Sequence, residues 1–374
     1  MGQDSHPVSG FARRRVALLA LALSMIALAG PALALPTGYT ITDLGTLGGD
    51  TWAQGLNNLG HVVGHSVAAD GQWHPYVWRP GAGMVDIGTA GQNMGAATGI
   101  NDYGLVCGYA GPSYSSYEAY RWEYGGGTWT GTWLGEIVSG RPYGYARAVN
   151  NAGQIVGRDV TGLAGSAFLW EEGTGMVELW GNGGAHDINE GGQVAGVVYG
   201  KRDKWSGQWY GCFWDGSSVI RVGEPGHECQ FNGLNDLGQC VGWYEPGPWV
   251  TDEALLWEDG VFTLLGSLGN SSPIGMDISN SGVVVGYSHS AHAFIWTGET
   301  GMLDLDLLLP PDSGWHLTGA SAINEAGQIV GNGLHNGVQR GFLLNPISQD
   351  PVVPEPTTLA LLGLGALGLL RRRR

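Results

Sequence analysis

The sequence predicts an all-β fold, a seven-bladed β-propeller of four-stranded repeats about 45 residues long. A nonapeptide recurs seven times, and two further strand-like segments follow most copies in the same order. The strand that the last copy lacks stands alone near the N-terminus. Composition agrees, because 67 of the 374 residues are glycine, 16 are tryptophan and only 13% are charged, which suits short strands joined by tight turns.

The nonapeptide has the pattern apolar–Asn–x–x–Gly–x–apolar–apolar–Gly. Its copies are LNNLGHVVG at 56, INDYGLVCG at 100, VNNAGQIVG at 149, INEGGQVAG at 188, LNDLGQCVG at 234, ISNSGVVVG at 278 and INEAGQIVG at 323. Asn, or Ser279 in the sixth copy, followed three residues later by Gly is typical of a type I turn. The apolar residues on either side are then two strands of a hairpin. The closing Gly ends the second strand or admits a close backbone approach.

Two more segments complete the repeat. One reads PYVW at 75, AYRW at 119, AFLW at 167, CFW at 212, ALLW at 254, AFIW at 293 and GFLL at 341. The other, which closes the unit, reads GMVDIG at 83, TWLGEI at 132, GMVELW at 175, VIRVG at 219, VFTLLG at 261 and GMLDLD at 301. Each unit therefore holds four short strands.

The seventh unit has no closing segment after GFLLN, and the missing piece is YTITDLGTLGG at residues 39–49. This displacement predicts a ring whose last blade is completed by the N-terminal strand. A linear β-solenoid is the competing fold, but it has no use for a displaced strand. The propeller then spans residues 35–346, with a linker at 347–352.

Both ends are predicted to be targeting segments. Residues 1–34 have the charged start, apolar run and small-residue cleavage site of a secretory signal peptide, with Ala32 and Ala34 at the site. Export by the general secretory route and by the twin-arginine route both stay open. Residues 353–374 combine Pro354-Glu355-Pro356, an apolar run predicted to be a helix, and a basic stop at Arg371, Arg372, Arg373 and Arg374.

Charge excludes one class of partner. Without residues 1–34 and the four terminal arginines, 10 basic and 32 acidic residues remain, a formal charge near −22. Such a body repels phosphate backbones, so we expect no nucleic-acid partner. The four cysteines permit three complete pairings, and one disulfide near Cys212–Cys240 is an expectation among them.

The sequence lacks the common motifs for catalysis, metals and cofactors. It contains no HExxH, no GxSxG, no phosphate-binding loop and no EF-hand loop. His289 and His292 would point to opposite faces of a strand, so we expect no metal pair there. The acidic residues of the closing segments (Asp43, Asp86, Glu178 and Asp304) are interpreted as a solvated face rather than a ring in the channel. We predict no cofactor, no metal and no catalytic residue.

Aromatic residues fall into two groups. Six occupy equivalent places and are interpreted as inter-blade packing: Trp78, Trp122, Trp170, Trp214, Trp257 and Trp296. The irregular insertions supply the candidate ligand residues instead, namely Tyr114, Tyr117, Trp129, Trp133, Trp205, Trp209 and Tyr210.

Two family resemblances follow from these segments. His292-Ala293-Phe294, LGTLGG at 44–49 and the repeated IN…GQ(V/I)VG segments resemble the HAF family of bacterial extracellular repeats. The tail resembles the PEP-CTERM sorting signal, which implies recognition and cleavage by a membrane-embedded exosortase and delivery beyond the inner membrane. That resemblance makes Pro354, Glu355 and Pro356 the recognition residues.

Together these observations predict an exported, non-enzymatic surface or matrix protein. Its partners would be the export translocon, an exosortase, the membrane through the C-terminal segment, and exopolysaccharide or another envelope component. The alternative is a propeller enzyme acting on polysaccharide as a hydrolase or lyase, with carboxylates from different blades meeting at the channel mouth.

Overall fold

The structure is a computed structural model that describes residues 35–137, 143–160, 165–201, 207–223, 227–247, 250–269, 272–289 and 291–347. The predicted signal peptide with Ala32 and Ala34, the sorting motif with its apolar helix and arginines, and Trp205 all lie outside these residues. The described elements belong to one compact unit that begins at Pro36. They are 28 strands and a single 3-10 turn at Leu305–Leu308.

The strands form seven antiparallel sheets of four strands each, and each sheet is one blade. Blade 1 has β2 (Gly48–Leu56), β3 (Val62–Ala68), β4 (Trp73–Arg79) and β5 (Gly83–Asp86). Blade 2 has β6 (Met94–Ile100), β7 (Val106–Ser113), β8 (Ser116–Gly125) and β9 (Thr128–Trp133). Blade 3 has β10 (Gly144–Val149), β11 (Ile155–Asp159), β12 (Ser166–Glu171) and β13 (Gly175–Gly181).

The next three blades repeat this order. Blade 4 has β14 (Gly183–Ile188), β15 (Val194–Lys201), β16 (Gly207–Trp214) and β17 (Val219–Val222). Blade 5 has β18 (Cys229–Leu234), β19 (Cys240–Tyr244), β20 (Glu253–Glu258) and β21 (Val261–Leu264). Blade 6 has β22 (Pro273–Ile278), β23 (Val284–Ser288), β24 (His292–Thr297) and β25 (Gly301–Asp304).

Blade 7 closes the ring. It consists of β26 (Trp315–Ile323), β27 (Ile329–His335), β28 (Val338–Pro346) and the N-terminal strand β1 (Tyr39–Asp43). β1 pairs with β28 from Tyr39 opposite Pro346 to Asp43 opposite Phe342. The predicted seven-bladed propeller closed by its first strand is therefore confirmed. One boundary differs, because the outer strand of blade 2 begins at Thr128, ahead of the predicted TWLGEI segment.

The two glycines of the nonapeptide have separate roles. In every copy the first Gly donates its N–H to the carbonyl of the Asn or Ser three residues earlier, as Gly60 does to Asn57 at 3.1 Å. These glycines have φ between 72° and 85°, which other residues adopt reluctantly. The closing Gly lies against the inner strand, where a Cβ at Gly64 would sit 1.9 Å from the Trp52 carbonyl oxygen. The predicted close backbone approach is confirmed.

The Asn of the nonapeptide does more than form a turn. Each Asn is buried, and its side-chain nitrogen donates to the main-chain carbonyl of the equivalent residue in the next blade. These links are Asn57 to Asn101, Asn101 to Asn150, Asn150 to Asn189, Asn189 to Asn235, Asn235 to Ser279 and Asn324 to Asn57, at 2.9–3.1 Å. The ring is open at Ser279, whose shorter side chain bonds the Ser281 hydroxyl at 2.8 Å instead.

A second ring of hydrogen bonds is formed by the residues that follow these positions, and it is complete. The residue after each Asn donates its backbone N–H to the side-chain oxygen of its counterpart in the next blade. The members in order are Asn58, Asp102, Asn151, Glu190, Asp236, Asn280 and Glu325, and the last donates to Asn58. Each bond of the two rings joins neighbouring blades through residues that are more than 38 positions apart in sequence. The rings therefore hold neighbouring blades together.

Apolar residues from neighbouring blades pack between the sheets. Phe213 of blade 4 lies 5.4 Å from the Trp257 ring of blade 5, and both belong to one buried cluster. Trp78, Trp122, Trp170 and Trp257 are at most 9% exposed, and Trp214 and Trp296 pack as partly buried members of similar clusters. The predicted packing role of the repeated tryptophans is confirmed.

The cysteines depart from expectation. All four are buried and free, so the expected disulfide near Cys212–Cys240 is wrong. The two residues lie in the interiors of different blades, each within its own apolar cluster. Burial raises the pKa of the Cys107, Cys212 and Cys229 thiols to about 12, which makes them poor nucleophiles.

Candidate functional site

The antiparallel order of each blade gives the ring two different faces. The turns from the inner to the second strand carry the nonapeptide Asn, and we call their side the Asn-turn face. The turns from the second to the third strand, and the links from one blade to the next, lie at the other ends of the strands. We call that side the link face, and it carries the turn of blade 2 that contains Tyr114.

An aromatic cleft opens on the link face over blades 1 to 3. Its volume is about 390 Å³, and its lining residues are Gln54, Trp73, Met94, Thr98, Tyr109, Tyr114, Tyr117, Tyr145 and Arg147. Five of these nine side chains are aromatic. The lining includes one cation and no carboxylate, although the whole chain has 33 acidic against 17 basic residues.

The cleft walls are two groups of contacting rings. Trp73 meets Tyr114 edge to face at 4.5 Å between centroids. Tyr117 lies 4.9 Å from Tyr109 and 6.1 Å from Tyr145. The first wall joins the start of a strand to a turn, and the three tyrosines of the second wall all lie in strands, so regular backbone holds most of these rings. Edge and tilted contacts of this kind add stability beyond the area they bury.

Behind Trp73 a buried histidine serves as packing. His65 is 5% exposed and lies 4.4 Å from the Trp73 ring and 4.9 Å from the Trp52 ring. Burial lowers the pKa of His65 to about 4, so its ring is neutral at physiological pH. The neutral ring fixes the position of Trp73 from behind.

The floor of the cleft is polar and continues into the central channel. Gln54, Thr98 and Arg147 line both spaces and come from the inner strands of blades 1, 2 and 3. The Arg147 guanidinium lies 5.3 Å from the Tyr145 ring centroid, a cation–π contact. The cleft thus offers flat apolar rings beside a few groups that form hydrogen bonds, the general composition of small-molecule sites.

Two carboxyl groups lie deeper in the channel. Asp187 accepts the backbone N–H groups of Ile188 and Leu234, and Asp277 those of Ile278 and Ile323, at 2.8–2.9 Å. In each case both oxygens are engaged and one bond crosses to the next blade.

Burial raises the pKa of Asp277 to about 6. Burial and the nearby negative charge of Asp277 raise the pKa of Asp187. Their geometry is that of structural joints between blades.

The predicted ligand residues divide by position. The structure places Tyr114 and Tyr117 in the cleft. Trp129 and Trp133 lie on the outer strand of blade 2, where Trp129 packs against Tyr124 and beneath Arg79. Trp209 pairs with Tyr199, and Tyr210 packs beneath Arg221 in blade 4. These four are not in the cleft.

Three cleft aromatics were missed in the sequence. Trp73, Tyr109 and Tyr145 lie within or at the ends of regular strands, so a search restricted to insertions passes over them. Position gives a usable signal for two of them, since Trp73 and Tyr145 stand at the link-face ends of their strands. Trp73 comes just before the PYVW segment, and Tyr145 is the second residue of an inner strand, whereas Tyr109 lies in the middle of its strand.

The acidic residues of the closing segments are paired rather than merely solvated. In three blades the residue before the apolar–Trp segment contacts the acid 12 positions later, giving His74–Asp86, Ser166–Glu178 and His292–Asp304 at 2.7–3.2 Å. In blade 7, His335 contacts Asp43 of β1 at 2.9 Å. The His of the His-Ala-Phe triplet therefore lies beside the acid of the outer strand of its blade.

Comparison with known families identifies the C-terminus. Residues 352–374 match the PEP-CTERM protein-sorting motif. The tail is a PEP-CTERM sorting signal. Such a signal indicates an exported protein that is processed at the membrane by an exosortase. Within the described part of the chain, no helix has the length and apolar character needed to cross a membrane.

Solved structures support the fold. The β-propeller domain of the Trilobed protease from Pyrococcus furiosus, described as having an open velcro topology, is 9% identical with a TM-score of 0.51, over 86% of this chain and 100% of that one. An acylaminoacyl peptidase complex is 9% identical with a TM-score of 0.49, over 79% of this chain and 51% of that one. This chain therefore spans about half of that peptidase. At 9% identity, the likeness to the Trilobed protease domain shows the propeller fold alone, and no curated protein matches.

Proposed function

We propose that the protein is an exported, non-enzymatic component of the cell surface or extracellular matrix that binds exopolysaccharide in the aromatic cleft. The observation that carries this proposal is the cleft itself, with five aromatic side chains around a polar floor in a cavity of about 390 Å³. Destination supports it, because a sorted and exported protein meets envelope polysaccharides. The HAF-type repeat supplies the rigid ring on which the cleft is built.

Sugar rings suit this cleft for a physical reason. The faces of pyranose rings present C–H groups that pack on flat aromatic side chains, while their hydroxyls need hydrogen-bonding partners. Tyr hydroxyls, Gln54, Thr98 and Arg147 provide such partners around the rings. With no carboxylate in the lining, the cleft accepts neutral sugars, and Arg147 also accepts a sugar carboxylate.

Removing an aromatic side chain of the cleft should weaken the retention of polysaccharide. We expect Trp73→Ala and Tyr117→Ala each to weaken binding to the producer's own exopolysaccharide by roughly tenfold or more, because stacking area and shape are lost together. Affinity electrophoresis in gels containing the polysaccharide measures this. Trp133→Ala is the matched control, since Trp133 is 43% exposed and lies outside the cleft. Equal retention of all three variants would contradict the proposed site.

The same incubation separates the proposal from the enzyme alternative. Retention without fragments supports a binding protein, whereas release of shorter chains supports a polysaccharide hydrolase or lyase. The engaged oxygens of Asp187 and Asp277 favour binding, because a catalytic carboxyl must be free to meet substrate.

Sorting is tested separately. We propose that exosortase recognises Pro354-Glu355-Pro356, so replacing these three residues with alanine should leave the full-length chain in the inner membrane. Cell fractionation and the mass of the released chain measure the outcome. Pro351→Ala, three residues upstream, should be processed normally. Normal release of the triple variant would contradict cleavage at this motif.

A further inference from the structure

Three metal-ligating side chains converge where blade 6 meets blade 7. His292 begins β24, Asp306 lies in the 3-10 turn after β25, and His316 is the second residue of β26. One ligand atom from each of the three lies within 4.8 Å of the others. The two imidazole rings lie 5.2 Å apart between centroids and nearly perpendicular. Among the described residues this is the one cluster of its kind.

Carboxylates lie beside both rings of the cluster. His292 Nδ1 lies 3.0 Å from Asp304 Oδ2 without hydrogen-bond geometry, and this buried nitrogen has no hydrogen-bond partner. His316 Nδ1 lies 2.8 Å from Asp306 Oδ2. In metal sites a histidine commonly contacts a carboxylate through its other ring nitrogen, and this contact fixes the ring and raises its basicity as a ligand. A metal bound at His292 Nε2 would give Asp304 that relation to His292.

The backbone holds these groups in place. Asp306 Oδ1 accepts the Leu317 N–H at 2.8 Å, which fastens the link to the inner strand of blade 7. Asp304 accepts the Asp306 N–H at 2.9 Å and caps the 3-10 turn. His292 follows Ala291, which has φ of 62° in the left-handed region. A strained residue of this kind beside a cluster of polar groups is a frequent companion of a functional site.

Charge and ligand type select the ion. Two neutral imidazoles with Asp304 and Asp306 carry a formal charge of about −2, which a divalent cation neutralises. Imidazole nitrogen suits zinc and its neighbours, whereas calcium and magnesium prefer all-oxygen sites. Zinc bonds of about 2.0–2.2 Å place tetrahedral ligands roughly 3.4 Å apart. Closing the present cluster therefore needs side-chain movements of about an ångström, and each of the two histidines is partly exposed.

We propose that His292, Asp306 and His316 form a divalent transition-metal site on the link face, with at least one coordination position open. Asp304 is its positioning residue. Two histidines and one carboxylate are a ligand set found with zinc. The site was not apparent from the sequence because its members come from two repeats. His289, which is close to His292 in sequence, bonds the Ser272 carbonyl instead.

The test uses the purified full-length protein after removal of metals with EDTA and of any histidine tag. Calorimetric titration with ZnCl₂ is expected to show one equivalent bound, and Co²⁺ is expected to give a visible absorption band. His292→Gln and His316→Gln should each lower the zinc affinity at least tenfold, and Asp304→Asn by roughly 10- to 100-fold. His289→Gln and His74→Gln are matched controls that should bind as the parent does.

Two results of the zinc titration would overturn the site. One is parental zinc affinity and stoichiometry in the His292→Gln/His316→Gln variant; the other is no zinc uptake by the parent at micromolar concentrations. Zinc X-ray absorption of the parent needs no variant and so does not depend on their folding. Two imidazoles around the ion support the site, and none or one overturns it.

Discussion

Deleting Tyr39–Asp43 is expected to lower the free energy of unfolding by roughly 5 kcal/mol or more, a large part of the stability of a typical domain. The five-residue ladder with β28 is lost, together with the burial of Tyr39, which is 1% exposed. Without β1, strand β28 would have an unpaired edge beside its buried residues Phe342, Leu343 and Leu344. Such an edge favours aggregation. Urea unfolding followed by tryptophan fluorescence measures the loss.

A point variant separates the strand from its side-chain contact. Asp43→Ala keeps β1 and removes the partly exposed pair with His335 and the Gly45 N–H bond to Asp43 Oδ1, so it should cost about 1–2 kcal/mol. A peptide covering residues 36–47, added to the deleted chain, should restore part of the lost stability by refilling the edge. An unchanged urea midpoint after deletion would show that ring closure does not depend on β1.

The buried Asn ring should be nearly as sensitive. Asn150→Ala is expected to cost about 2–4 kcal/mol, because it removes several hydrogen bonds and leaves buried partners unsatisfied. Asn150 Nδ2 donates to Asn189 O at 3.1 Å and to Gln154 Oε1 at 2.7 Å, and its Oδ1 accepts the Gln154 N–H at 3.0 Å. Thermal and urea unfolding of the parent and the variant give the difference.

The natural gap in this ring supplies the opposite experiment. Ser279→Asn places an amide where the other six copies have one, and it should donate to the Asn324 carbonyl. We expect a gain of about 1 kcal/mol, the usual net value of a buried hydrogen bond. If Asn150→Ala proves as stable as the parent while Ser279→Asn proves less stable, the ring does not join the blades.

Local chemistry explains why so much of the ring was predictable. Asn followed by Gly at a three-residue spacing encodes a turn wherever it stands, and the closing Gly64 permits contact that any Cβ would block. Repetition multiplied this signal seven times. The displaced strand was readable because a four-stranded unit with three strands must be completed from elsewhere. The sorting signal was predictable for the same reason, because it is a short linear motif.

The candidate sites were less predictable because they join distant residues. Tyr114 and Tyr117 were found through their irregular turn, whereas Trp73 and Tyr145 belong to other blades and look like ordinary strand residues. His292 lies in blade 6 and His316 lies in blade 7. The expected disulfide failed for the same reason, since spacing in sequence does not tell which strands become neighbours across the ring.

The sequence by itself determined the repeat, the number of blades, the closing strand and the sorting signal, because each depends on contacts within one repeat or one short segment. Only the tertiary structure decided which side chains of different blades face each other: the two fastening rings, the aromatic cleft and the His292–Asp306–His316 cluster. Those contacts depend on how neighbouring sheets are rotated about the ring axis, and that rotation is set by packing of all seven blades together.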